Sequence, residues 1–143
     1  MRSTIEALLR PRRVVHGHCD VPCGVYDPAQ ARIEAESVKA IQERYQDADA
    51  KKSATETADD YRTRCLVIKE QRADLVKHHL WVLWTDYFKP EHLEAHPQLH
   101  DTFWQATKAA GEAKKSQDPA QGQSLLDLIS QINDIFWETK KPA

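Results

Sequence analysis

The side chains most capable of metal or redox chemistry cluster near the front of the chain, in His18-Cys19-Asp20-Val21-Pro22-Cys23-Gly24-Val25-Tyr26. Cys-x₃-Cys alone is a weak signal, since two thiolates at that spacing often hold zinc with partners elsewhere. Its meaning changes if the chain is cut after Gly17. His18 then offers a free amine, an imidazole and the next residue's amide within one dipeptide. The amine and the deprotonated Cys19 amide nitrogen would close a five-membered chelate ring on a metal, and the Cys19 thiolate would close a second. Val21-Pro22-Cys23-Gly24 has Pro where a type I turn favours it and Gly at the fourth position. Such a turn can return the Cys23 thiolate as the fourth ligand of a square plane, leaving the His18 ring free for an axial position. Planar nitrogen ligation suits Ni(II) or Cu(II), whereas zinc prefers a tetrahedron. Anionic amide and thiolate donors also bring a higher oxidation state within reach, so the metal could oxidise one substrate molecule and reduce the next.

That chemistry requires residues 1–17 to be removable. MRSTIEALLRPRRVVHG carries four arginines, and its Ala7-Leu8-Leu9 stretch is too short for a secretory h-region. Glu6 argues against a transit peptide. The segment reads as a pro-segment cut by a processing protease, with residues 18–143 forming one domain. Without an export signal the expected compartment is the cytoplasm. Three cysteines, an odd number, argue against a disulfide framework. The formal charge of −2 gives no broad basic field for nucleic acid. No apolar run approaches the roughly 20 residues that span a bilayer.

Four amphipathic stretches must position the hook. Asp27-Pro28 pairs an N-cap acid with Pro at the first helical position, opening a helix to about Asp49 with Val38, Ile41 and Tyr45 on one stripe. Polar Gln46–Asp60 reads as a frayed end and connection. A second helix spans about Thr57 to Tyr87, with Tyr61, Cys65, Ile68, Leu75, His79 and Val82 aligned, and Lys89-Pro90 ends it. A third starts at His96-Pro97, aligns Leu99, Phe103, Ala106 and Ala110, and weakens at Gly111. Asp118-Pro119 opens the last, with Leu125, Ile129, Ile132 and Phe136. Short connections between such helices predict an all-α, antiparallel four-helix bundle carrying an N-terminal metal-binding hook. Glu34 and Arg72 fall on the apolar stripes of the first two helices. A charge there either snorkels to solvent or reaches a buried polar partner.

From His18 onward the chain resembles the nickel superoxide dismutase family. The resemblance is carried by the hook and its continuation through Ala40, by Val67-Ile68-Lys69-Glu70-Gln71-Arg72, by Asp86-Tyr87-Phe88-Lys89-Pro90, and by Phe136-Trp137-Glu138-Thr139-Lys140-Lys141. It implies one nickel ion per chain, ligated by the His18 amine and imidazole, the Cys19 amide and thiolate, and the Cys23 thiolate. It also implies that Glu34 and Arg72 hold the His18 ring in a buried network. Tyr26 and Tyr87 would flank the substrate pocket, with Asp20 and Lys89 close by. A homohexamer is implied as well. The activity implied is disproportionation of superoxide to dioxygen and hydrogen peroxide by Ni(II)/Ni(III) cycling. A nickel carrier or storage protein without turnover is the alternative. Two features depart from the family: a longer segment over 45–63, and Cys65, which reads as a buried structural thiol. His92 and His96 are four apart, but their order is not His-Glu-x-x-His, and Pro97 interrupts the helix there.

Overall fold

The computed structural model describes residues 24–141. Asp27 opens the first long helix as expected. Its Oδ1 accepts from the Ala29 N–H at 2.8 Å, and fully buried Pro28 supplies the pre-set φ of −64°. This helix, α1, runs Ala29–Gln46. The polar segment after it is not wholly connection, since it contains a single helical turn, α2 (Ala48–Lys51). Thr57 then caps α3 (Ala58–Val82), its Oγ1 accepting from the Asp60 N–H at 3.1 Å.

The second predicted helix does end before Pro90, but through a widened π-helical turn over Leu83–Tyr87, in which the Phe88 N–H donates to the Leu83 carbonyl at 3.1 Å. Lys89 adopts the extended backbone that a following proline demands. Pro90 then starts a short helix, α4 (Pro90–Ala95), which the periodicity had not suggested. The third predicted helix, α5, covers Leu99–Lys115 and passes through Gly111 rather than weakening there, because Ala110 and Ala113 on either side are fully buried. The last, α6 (Pro119–Thr139), repeats the Asp-Pro opening, with Asp118 Oδ1 accepting from the Ala120 N–H at 2.9 Å.

The four long helices form a ring in which α1 and α5 each pack on both α3 and α6. Neighbours run antiparallel. Tyr26, before α1, meets Tyr87 at the end of α3 and, through it, Phe136 near the end of α6. At the other end, Gln42 and Gln46 of α1 reach the connection between α5 and α6. The predicted core positions of α5 and α6 are all buried. On α1 and α3 the stripe is rotated. Cys65, Lys69, Ala73, Val76 and Leu80 face the core of α3, while Ile68 is largely exposed; on α1, Gln42 is buried and Ile41 and Tyr45 only partly so.

The rotation brings Lys69 and Gln42 into the core, where their nitrogens find partners while Gln42 Oε1 is buried without a hydrogen bond. The Lys69 ammonium, 1% exposed, donates to the Ser116 carbonyl and to Gln117 Oε1. Gln42 Nε2 donates to the Ala113 and Ser116 carbonyls at 3.2 and 3.1 Å. A cation and an amide thus cap carbonyls left unpaired at the C-terminus of α5. Burial still holds the Lys69 pKa below its usual 10.5. It pushes the Cys65 thiol up, as befits an inert structural cysteine. Among the described residues, no helix is long and apolar enough to cross a membrane.

Candidate metal centre

The predicted ligands His18, Cys19 and Cys23, with Asp20 and the pro-segment, lie outside the described residues. The structure begins at Gly24, whose φ of +69° is left-handed and suited to glycine, in keeping with a tight turn as the hook meets the bundle. Directly there lies a cleft of about 370 Å³ lined by Gly24, Tyr26, Asp86, Tyr87, Lys89, His92, Thr139 and Lys140. The structure therefore brings three of the predicted site residues, Tyr26, Tyr87 and Lys89, to one cleft that Gly24 also lines.

The elements explain the geometry. The π turn delivers Tyr87 to the junction with α6, and such turns recur at functional sites. Its ring packs 4.4 Å from that of Phe136, 5.0 Å from Phe88 and 5.7 Å from Tyr26, and stacks on His92 at 5.7 Å. Its hydroxyl lies 2.6 Å from Thr139 Oγ1. Lys140 Nζ stands over the Tyr87 ring at 4.8 Å. His92, Thr139 and Lys140 had not been singled out for the cleft. Thr139 and Lys140 belong to a tail motif that carried the resemblance, but no spacing rule brings the end of α6 to the end of α3. The idea of a His92–His96 metal pair finds no support in their contacts. His92 Nδ1 accepts from the Lys89 N–H at 3.2 Å, whereas His96 Nε2 lies 3.7 Å from Glu138.

Glu34 and Arg72 meet as expected, Arg72 Nη1 donating to both carboxylate oxygens at 3.2 and 3.3 Å. The pair is not buried, however. The Glu34 side chain is 16% exposed and that of Arg72 41%, because the rotated α3 stripe puts Ala73 in the core and leaves Arg72 at its edge. The charges pair, and the arginine still reaches water.

Among the described residues, no group of three or more His, Cys, Asp or Glu side chains could hold a metal ion. The expected donors, His18, Cys19 and Cys23, precede Gly24, which itself lines the cleft.

The family model for nickel-containing superoxide dismutase matches residues 13–140. The chain belongs to the nickel-containing superoxide dismutase family. It is 58% identical over 137 residues to the superoxide dismutase [Ni] of Streptomyces seoulensis, covering 96% of this chain and 98% of that protein. The corresponding enzyme of Streptomyces coelicolor is 56% identical with the same coverage. A native nickel superoxide dismutase solved at 1.30 Å shares 59% identity and a TM-score of 0.76, covering 87% of this chain and all of that one. A structure with the nickel ligation of the oxidised state gives 60% identity and the same score and coverage. Relatives bearing an enzyme's name at this identity lend the carrier alternative no support.

Proposed function

We infer that this chain disproportionates superoxide, two O₂⁻ and two protons giving O₂ and H₂O₂, at a nickel ion held by His18, Cys19 and Cys23. The observation that carries the reading is the cleft at Gly24, where the two tyrosines and Lys89 gather beside the point at which the hook must emerge. Bound nickel would supply the Ni(II)/Ni(III) couple that the disproportionation needs. The His18 amine and imidazole, the Cys19 amide and thiolate and the Cys23 thiolate would hold it. Glu34 and Arg72 orient the His18 ring. Tyr26 and Tyr87 wall the cleft and order water within it. Lys89, with Asp20 nearby, shapes the field met by the anionic substrate.

The amine ligand requires cleavage after Gly17, leaving residues 18–143 as the mature domain. Solved relatives carry substitutions at a histidine that is their first residue, at an aspartate two residues later and at a tyrosine six beyond that. His18, Asp20 and Tyr26 have that order and spacing here, which supports His18 as the mature N-terminus. Trp81, Trp104 and Trp137 are about half exposed, in keeping with burial between subunits of a homohexamer. The cytoplasm is the proposed compartment, from the leader's lack of an apolar core.

The test is to load the chain beginning at His18 with nickel and follow superoxide decay, beside Cys19→Ser and Cys23→Ser variants. Catalytic decay that either substitution abolishes supports the reading. Stoichiometric nickel uptake without decay, or decay untouched by loss of both thiolates, overturns it.

A further inference from the structure

Thr139 ends α6 with its hydroxyl between two oxygens, 2.6 Å from the Phe136 carbonyl and 2.6 Å from the Tyr87 hydroxyl. A threonine hydroxyl has one proton, and a carbonyl can only accept. The Thr139 proton is therefore committed to Phe136, and the contact with Tyr87 exists as a hydrogen bond only if Tyr87 donates. We propose that Thr139 is a positioning residue that draws the Tyr87 hydroxyl proton away from the cleft, so that Tyr87 meets the contents of the cleft as a hydrogen-bond acceptor and not as a donor.

Packing fixes the place of the phenol oxygen beside Thr139. Its ring is held between Phe136, Phe88 and His92, at centroid distances of 4.4, 5.0 and 5.7 Å. Tyr87 and Thr139 both line the cleft, so the direction of this bond decides what the cleft offers. Superoxide is an anion with no proton to give, and an accepting phenol oxygen repels it. Water and hydrogen peroxide carry protons and are held by it. Tyr87 thus retains the proton-bearing species, and the anion is left to the ammonium groups of Lys89 and Lys140 on the same cleft. This deepens the proposed function and rests on Tyr87 belonging to the active cleft.

The tyrosine Fermi doublet in Raman spectra distinguishes a donating phenol from an accepting one. The nickel-loaded protein is recorded against its Tyr87→Phe variant, so that the difference isolates Tyr87, and the measurement is repeated in Thr139→Ser and Thr139→Val. The donor signature is expected in the parent, retained in Thr139→Ser and lost in Thr139→Val. An acceptor signature in the parent, or a donor signature unchanged by Thr139→Val, overturns the inference. The parent spectrum decides even if Thr139→Val does not fold. Turnover of Tyr87→Phe separates the two levels. If turnover is unchanged, Tyr87 is not part of the site at all. If it falls while the doublet is of the acceptor type, the site stands and only the role of Thr139 fails.

Discussion

Replacing Arg72 with Ala separates two contributions that the Glu34–Arg72 pair could make, one to stability and one to catalysis. The guanidinium lies 3.2 Å from the carboxylate, with 41% of the arginine side chain and 16% of the glutamate side chain exposed. A pair so open to water contributes about 0.5–1 kcal/mol to folding, roughly 2–6 °C in Tm for a domain of this size. Residues that orient a metal's ligand act on a larger scale, with losses of about 10- to 100-fold in activity or affinity. That corresponds to roughly 1.4–2.7 kcal/mol, more than the pair can give to the fold. The variant is therefore expected to keep its nickel, lose a few degrees in Tm and lose at least about tenfold in turnover. Stopped-flow decay of superoxide absorbance measures turnover, elemental analysis the nickel per chain, and circular dichroism the melting. Glu34→Gln should act in the same direction, and the double variant should be no worse than the poorer single one. Full turnover at full nickel content, or a loss that merely tracks missing nickel, refutes the assignment.

Two further outcomes test the fold and the cleft. Burial holds the Lys69 pKa below 10.5, so between the folded and unfolded values the unfolded chain binds more protons. The cost of burying the cation is full below the folded pKa and is relieved as pH rises towards 10.5. Urea unfolding of the parent and of Lys69→Met at pH 7 and pH 10 should show the stability difference moving in the parent's favour, by up to about 1.4 kcal/mol per pH unit inside that window; a constant difference contradicts it. Reversing the exposed Lys89 charge with Lys89→Glu should lower kcat/KM for superoxide by roughly three- to tenfold at low salt, and the gap should close as ionic strength rises. A rate ratio independent of salt removes Lys89 from substrate attraction.

Much of this fold was legible because its helices are punctuated by strong local signals. Asp27-Pro28, Thr57 and Asp118-Pro119 each form the cap that their residue types imply. The faces of α5 and α6 were readable because only apolar or small residues occupy them. Those of α1 and α3 were not, since two core positions are taken by Gln42 and Lys69. The Gln42 amide nitrogen and the Lys69 ammonium are held by carbonyls at the end of α5, far away in sequence. The same blindness hid the cleft's outer wall. Tyr87 and Lys89 could be named from resemblance, but the contact of Tyr87 with Thr139 joins positions 52 residues apart. Pro90 carried two meanings, ending one helix and starting another, and only the first was read. Hook chemistry could be argued for a different reason: the proposed donors of His18 and Cys19 are adjacent in the chain, and one short turn would return Cys23 to them.

The proposed metal site depends on the amine of His18, which exists only after cleavage. The most direct measurement compares a chain starting at Met1 with one starting at His18, for nickel stoichiometry, the spectrum of square-planar nickel and superoxide turnover. Planar nickel coordination and catalytic decay are expected of the His18 chain alone. Equal turnover by both chains would contradict it, because the His18 nitrogen of the uncut chain is a peptide amide and could not serve as that ligand.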